Sequence, residues 1–504
     1  MRKPCKMKKT IGLCLFLFAF LCSNAQLGVK YDSSVQPTNS MQYFKPVGNN
    51  LFVGDCIPFF HDGTYYLYWL IDSAHHHALN GLGGHQWVLS TTKDLKTWTN
   101  HPIVLGIDEE WEKSICTGSV VYYNNKFYAF YATRLVNDGK VNEQLSYAIS
   151  NDGIHFEKQK PNPFYTSAPG YSKRDFRDPK VFVDSSGVFH LFVSSKKDSS
   201  FLKNYDGALV HLTSKDLKNW DVKKPVLTGQ NSVPECPDYF LWNGWYYLIY
   251  GDSGNTFYVK SKSPYGPWQQ PPYQALNEDW ANVVKTAQFS KNRRIAAAWV
   301  PSRLDDKDDN REIFGGNTIF REVVQAKDGT LQTKFPPEML PKSVKTVPLQ
   351  LLTDPFTAKT NNENFTITSP NGVGAVHYKN IPSNCRITLQ INPKGPFENY
   401  GLMLRADEKG ANGYNLLFSA NDLKVSLGNT TITGVNGLDR AIQVDIIMKD
   451  NIIDVCVDNR RCIVNRVIEH NGNNLWLYAK HGNVDFKSIK ISEIESDASL
   501  AKSK

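Results

Sequence analysis

Three acidic residues stand at corresponding places along the chain, and their types suit proton transfer and nucleophilic attack. Asp55 lies 8 residues before Gly63, Asp178 lies 9 before Gly187, and Glu235 lies 9 before Gly244. Each of those glycines belongs to a turn of the same kind. Like charges held close together cannot all ionise normally, so at least one of the three acids should have a raised pKa. A protonated carboxylic acid beside an ionised carboxylate is the equipment for cleaving a glycosidic bond. One group protonates the departing oxygen while the other attacks or activates water. Arg177, next to Asp178 in Arg177-Asp178-Pro179, can hold its neighbour ionised and donate hydrogen bonds to sugar hydroxyls. One acid at a strand start would be read as a turn cap. Three at matching stations are better read as a site.

The elements that must position these acids repeat. A turn followed by alternating aromatic and aliphatic residues recurs at residues 62–69, 125–131, 186–192 and 243–250, and more weakly at 292–299. Each copy reads as a tight turn entering a buried strand. A polar turn with a following aromatic anchor comes next at residues 90–98, 150–156, 213–220 and 262–268, as in Asp94-Leu95-Lys96-Thr97-Trp98. Four-stranded units with a period of roughly 50–60 residues predict propeller blades. Five copies predict a five-bladed β-propeller, and a sandwich of generic hairpins does not account for the fixed order of the parts. In a propeller the first strand of each blade lines the central channel, which is where Asp55, Asp178 and Glu235 fall. Thr117-Gly118-Ser119 and Ala281-Asn282-Val283 hold the equivalent places in blades two and five.

Composition agrees. Of 504 residues, 41% are hydrophobic, 21% charged and 12% aromatic, which supports a packed, strand-rich chain and offers flat rings for stacking on sugars. A Pro-rich connector, Phe335 to Pro341, ends the repeats, and from Leu351 to Ile491 the alternation predicts a β-sandwich. At the start, Arg2, Lys3, Lys6, Lys8 and Lys9 precede an apolar run from Ile11 to Leu21 and the small residues of Ser23-Asn24-Ala25. That is the pattern of a secretory signal peptide, too short to span a membrane. Without residues 1–25 the chain has 52 basic and 49 acidic residues, a net +3 that gives no support to nucleic-acid binding. The expected organisation is all-β: a signal peptide at 1–25, a five-bladed propeller catalytic domain at 26–340, a C-terminal β-sandwich at 341–495 and a tail at 496–504. Nothing in the sequence sets an oligomeric state.

Six cysteines remain after the signal: Cys56, Cys116, Cys236, Cys385, Cys456 and Cys462, with no CxxC spacing. They read as small buried fillers, with pairing open for Cys56–Cys116 and for Cys456–Cys462. Asp72, His85 and the run His75-His76-His77 invite a metal reading. Consecutive histidines point in different directions, so a loop rimming the pocket is preferred, with no metal and no cofactor expected.

The ordered set Asp55, Arg177-Asp178-Pro179, Glu235-Cys236 resembles glycoside hydrolase family 32, the fructan hydrolases and invertases. The resemblance implies a five-bladed propeller with Asp55 as nucleophile, Asp178 as transition-state stabiliser and Glu235 as acid/base. Cys116-Thr117-Gly118-Ser119 is similar to the family's substrate-contacting Phe-Ser-Gly-Ser segment, and residues 84–87 stand where the family has His-Trp-Gly-His. Residues 444–459 are similar to a late strand-hairpin motif, which carries the resemblance into the sandwich. Substrate binding is accordingly expected of Arg177, Thr117, Gly118, Ser119, Trp69, His85 and Trp87. The first motif departs from the family's Trp-Met-Asn-Asp-Pro-Asn-Gly, reading Phe52-Val53-Gly54-Asp55-Cys56-Ile57-Pro58, and Leu70 stands where the family has Gln. The acids are kept while sugar-reading neighbours are not. The expected activity is a retaining glycosidase that removes terminal furanosyl residues, β-fructosyl first, from an oligo- or polysaccharide. The alternatives are a furanosidase of another specificity, such as an arabinofuranosidase, and a non-catalytic glycan-binding propeller.

The signal pattern predicts that the exported protein, periplasmic or extracellular, begins near Gln26. N-terminal sequencing of the secreted chain checks this; a start at Met1, or a lipid on Cys22, contradicts it.

Overall fold

The computed structural model describes residues 28–36, 40–199, 204–353 and 357–495. The segments read as signal peptide and as tail lie outside the described residues. Nineteen strands form five antiparallel meanders. The first comprises β1 (Leu51–His61), β2 (Thr64–Ser73), β3 (Gln86–Thr92) and β4 (Thr99–Leu105). The second comprises β5 (Ser114–Tyr123), β6 (Lys126–Asn137), β7 (Lys140–Ser150) and the short β8 (Glu157–Lys158). The third comprises β9 (Tyr171–Val183), β10 (Phe189–Lys197), β11 (Gly207–Ser214) and β12 (Asp221–Gln230). The fourth has β13 (Glu235–Trp242), β14 (Trp245–Asp252) and β15 (Asn255–Ser261). The fifth has β16 (Asn282–Phe289), β17 (Arg293–Arg303), β18 (Glu312–Gln325) and β19 (Leu331–Lys334).

The first strands touch in the order β1, β5, β9, β13, β16 and back to β1, which closes five blades into a propeller. The repeated turns owe their shape to residues that accept left-handed backbone. Asp62-Gly63 and Asn243-Gly244 have φ of 42°, 71°, 45° and 76°, as two-residue hairpin turns require. In the second repeated element Asp94, Asp152 and Asp216 each accept two successive backbone N–H groups, and Trp98 and Trp220 each donate to a carbonyl three residues back. Blade four departs from the expected four strands. Its last stretch runs as a loop whose backbone pairs with the sheet at the Lys260–Gln269 bridge alone. Pro264, Pro267, Pro271 and Pro272 lack the N–H groups that a fourth ladder would need.

The ring is fastened at its seam. Val53 pairs with Gly316, joining blades one and five, and residues 43–44 exchange backbone hydrogen bonds with Thr318. Beyond β19, thirteen strands between Ser343 and Ile494 form the sandwich. Its last strand, Asn474–Ile494, pairs along one side with Asn364–Tyr378. Its other side pairs with Asn399–Ala406 and then, past His481-Gly482, with Cys385–Lys394. Alternate residues such as Ile387, Leu389 and Ile391 fill the core. No helix among the described residues is long and apolar enough to cross a membrane. All six described cysteines are buried and free; Cys456 and Cys462 face each other across adjacent strands, and Cys56 is not joined to Cys116.

Propeller and sandwich are locked by a buried charge cluster. Arg321 donates to Glu278 at 2.7 Å and to both oxygens of Asp454 at 2.7 and 2.8 Å, and Tyr43 donates to Asp454 at 2.7 Å. Replacing the cation strands two carboxylates away from water. Arg321→Met is therefore expected to destabilise the fold by about 3–5 kcal/mol. Urea unfolding followed by tryptophan fluorescence checks this, and a midpoint equal to wild type contradicts it.

Candidate active site

Every inner strand breaks its hydrogen-bond ladder at the same height. Opposite the single residues Leu70, Ala132, Val193, Tyr250 and Ala298, the inner strand places two. These pairs are Gly54-Asp55, Cys116-Thr117, Asp178-Pro179, Cys236-Pro237 and Val283-Val284. Such a bulge bends the strand and re-aims its side chains. Asp178, Cys236 and Val283, first in their pairs, have φ of 53°, 48° and 44°. Pro179 and Pro237 occupy second positions, where no ladder N–H is called for. The matching stations of the sequence thus resolve into three successive steps: Glu235 precedes its bulge, Asp178 opens one and Asp55 completes one.

The three carboxyl groups converge. Asp55 is buried and accepts from the Trp299 indole at 3.0 Å and from the Thr117 hydroxyl. The Cys236 thiol lies 3.6 Å from Asp55 Oδ2 and 3.7 Å from Asp178 Oδ2, while the Cys236 backbone N–H donates to Asp178 at 3.1 Å. Arg177 donates to Glu235 at 3.1 Å and to Asp175 at 3.0 Å, with Asp178 at 3.7 Å and Glu143 at 3.4 Å. Burial pushes the Asp178 carboxyl up to about 7; Arg177 opposes this, and Glu143, Glu235 and Asp55 add to it. Glu235 is also raised, by burial of its carboxyl against the funnel wall, with Arg177 again opposing and Asp55 and Glu143 reinforcing. Its side chain is nevertheless 44% exposed, so it faces the opening.

These groups line a cavity of about 370 Å³ together with Arg134, Glu143, His76, His85, Trp299 and Phe314. A larger cleft of about 880 Å³ lies among the N-terminal segment, the connector and the sandwich, beside Tyr43, Pro337 and Glu495. It gathers no group of converging acids, so the chemistry belongs to the smaller cavity.

Of the residues expected to bind substrate, Arg177, Thr117 and His85 line the cavity. Four do not. Trp69 and Trp87 are fully buried, donating to Ser90 Oγ at 3.2 Å and to the Cys116 carbonyl at 2.8 Å. Their alternation along the strand places them between blades. Ser119 donates to the Pro179 carbonyl and accepts from the Val181 N–H, both at 2.7 Å, and so staples blade two to blade three. Gly118 is a packing glycine, since a Cβ there would stand 1.9 Å from the Phe130 carbonyl oxygen. Sequence reasoning missed Trp299, although it ends the fifth aromatic repeat. It also missed Arg134 and Glu143, cross-strand partners on the β6–β7 hairpin that both line the cavity. Phe314 was missed for a third reason: it fills the space beside Gly54, where an added Cβ would lie 2.8 Å from its ring.

Of the consecutive histidines, His75 Nδ1 turns to the Phe314 carbonyl and His77 Nδ1 to the Ala74 carbonyl. His76 alone joins Asp72 and His85, each offering one potential ligand atom within 4.8 Å of the others. Burial, then His85, Arg134 and His77, push the His76 imidazole down to about 3.

A family model for the glycosyl hydrolases family 32 N-terminal domain matches residues 56–334, which takes in Asp178 and Glu235 and begins one residue after Asp55. Sucrose-6-phosphate hydrolase of Escherichia coli is 28% identical over 298 residues, covering 53% of this chain. The chain spans 60% of that relative's length. Levanase of Bacillus subtilis is 24% identical over 550 residues, 97% of this chain and 75% of the levanase. Fructan 1-exohydrolase IIa from Cichorium intybus shares the fold, with a TM-score of 0.69 and 17% identity over 91% of this chain and 97% of its own.

A carboxyl group whose folded pKa lies above its unfolded value of about 3.9 costs stability once both states are ionised. For Asp178, raised to about 7, that cost is absent near pH 4 and complete by about pH 8. Asp178→Asn is therefore expected to melt above wild type at pH 8, with the gap closing towards pH 4. Calorimetric Tm values across that range check it, and a gap that is absent or widens on acidification contradicts it.

Proposed function

The chain belongs to glycosyl hydrolase family 32, and we propose that it is an exported glycosidase that removes terminal β-fructofuranosyl residues with retention of configuration. The observation that carries this reading is the contrast between two acids of one cavity. Asp55 is sunk among donors, the Trp299 indole, the Thr117 hydroxyl and the Cys236 thiol. Glu235 faces the opening with its proton affinity raised. One is placed to attack and the other to deliver a proton.

In the first step Glu235 protonates the glycosidic oxygen as Asp55 attacks the anomeric carbon. The alcohol departs and a glycosyl-enzyme ester forms. Glu235, now ionised, takes a proton from water, whose oxygen displaces Asp55 and restores the original configuration. Arg177 bridges Glu235 and Asp178 and offers N–H groups to sugar hydroxyls, while Asp178, between Arg177 and Cys236, is placed to face the positive charge that develops on the sugar ring. The family's named members, which include a sucrose-6-phosphate hydrolase, a levanase and a fructan exohydrolase, support fructosyl as the glycone. Export rests on the basic, apolar and small-residue sequence of residues 1–25.

A second reading, a furanosidase of another specificity such as an arabinofuranosidase, is favoured by the wall at Gly54. There the Phe314 ring takes the room a polar side chain would need. A non-catalytic glycan binder would have no use for all three acids, and all three are present in one cavity.

Purified protein tested on sucrose, inulin, levan and synthetic arabinofuranosides separates the two specificities. Glu235→Gln is expected to lower kcat/KM on natural substrates by about 10²–10⁴-fold and to spare substrates with activated leaving groups. The anomer seen first by NMR should match that of the substrate. Equal loss on both substrate types, or an inverted first product, contradicts the assigned roles.

A further inference from the structure

We propose that Asp72, His76 and His85 form a binding site for one divalent transition-metal cation, of the class of Zn²⁺, in the wall of the active-site cavity. Asp72, near the end of β2, is fully buried. Its Oδ1 accepts the His76 backbone N–H at 2.8 Å and lies 3.0 Å from His85 Nε2. Its Oδ2 is buried and has no hydrogen-bond partner, and the same holds for His76 Nδ1. A carboxylate oxygen shut away from water without a donor is costly, and a coordinated cation removes that cost.

A glycine keeps side-chain atoms off the bare oxygen. Gly315 lies against the bare oxygen, and a Cβ at that position would stand 2.8 Å from Asp72 Oδ2. The His76 and His85 rings lie 4.7 Å apart, and both pack on Phe314, at 5.2 and 4.9 Å, which gives the cluster an apolar floor. The three ligand atoms lie within 4.8 Å of one another. Metal–ligand bonds of about 2.0–2.2 Å would draw them together by roughly 1 Å. Two imidazoles and one carboxylate suit zinc and its neighbours, whereas calcium and magnesium prefer oxygen ligands.

Arg134 Nη1 donates to His76 Nε2 at 2.5 Å, which leaves the proton on the unpartnered Nδ1. An ion bound at Nδ1 therefore requires that proton to move to Nε2. Arg134 then gives up that contact and stays anchored by the Leu82 carbonyl at 3.2 Å and Glu143 at 2.7 Å. Asp72 is at the back of the site, whereas His76 and His85 line the cavity. The remaining coordination position thus opens towards the substrate space, where water or a sugar hydroxyl would fill it.

The test is calorimetric titration of the tag-free mature chain, stripped with EDTA, with ZnCl₂, alongside the visible spectrum of a CoCl₂-loaded sample. One ion per chain is expected, with the absorption of tetrahedral cobalt. Asp72→Asn and His85→Ala should each weaken Zn²⁺ binding by more than the roughly 10–100-fold that loss of a supporting hydrogen bond costs. His77→Ala, whose ring turns to the Ala74 carbonyl, should bind as wild type does. His76→Ala, on the turn outside the strands, serves as the decisive variant if the buried substitutions do not fold. Absence of Zn²⁺ binding, or binding that survives loss of His76 or His85, overturns the proposal.

Discussion

The site depends on a break in backbone pairing. An unbroken inner strand would send successive side chains to opposite faces, and no two adjacent residues could share the funnel. The bulge removes that restriction in all five blades. It lets Glu235, Asp178 and Asp55 enter one space from positions just before the break and at its first and second residues. The unpaired backbone groups and the left-handed turns at Asp178, Cys236 and Val283 are costs that the surrounding ring must offset. The ring does so by packing inner strand against inner strand around the whole circle.

Charge is the second constraint. Arg177 lies within 4 Å of Asp175, Asp178, Glu235 and Glu143, so one guanidinium serves four carboxyl groups. Arg134 takes a share of Glu143. The balance stays short of positive charge near Asp178, which is why burial there raises proton affinity instead of being cancelled. Under the proposed function, a sugar entering this cavity would meet two acids, Asp178 and Glu235, whose proton affinity burial has already raised.

Much of this was legible in the sequence because it repeats. The turn residues and the aromatic strands report local geometry, and five copies report closure. Asp55, Asp178 and Glu235 could be found because each is fixed to a repeat. Trp69 and Trp87 could not be told from cavity residues, since an aromatic on an inner blade face and one between blades follow the same alternation. Gly118 and Ser119 follow Thr117 directly, yet Thr117 belongs to the bulge while Gly118 packs on its own hairpin and Ser119 bonds to the neighbouring blade. The missing fourth strand of blade four was written in its prolines, although the aromatic anchor Trp268 masked it. Phe314 and the contact of Glu143 with Arg177 join segments far apart in sequence, for which no spacing rule exists, whereas Asp72, His76 and His85 are near neighbours whose shared direction only the fold decides. The Phe314 ring also explains the departure at Gly54: the small residue and the large one fill a single volume between them.

The seam of the ring bears on how the chain can be made. Residues 43–44 are stitched to Thr318, and the Tyr43 hydroxyl reaches Asp454, 411 positions further along. Blade one therefore waits for partners that emerge from the ribosome long after it does. Contacts of such separation form late and slowly. Until Gly316 and Thr318 exist, the propeller has no closing strand, and until Asp454 exists, the Tyr43 hydroxyl has no acceptor. A growing chain in that condition is still open at its seam, which is compatible with the export proposed above.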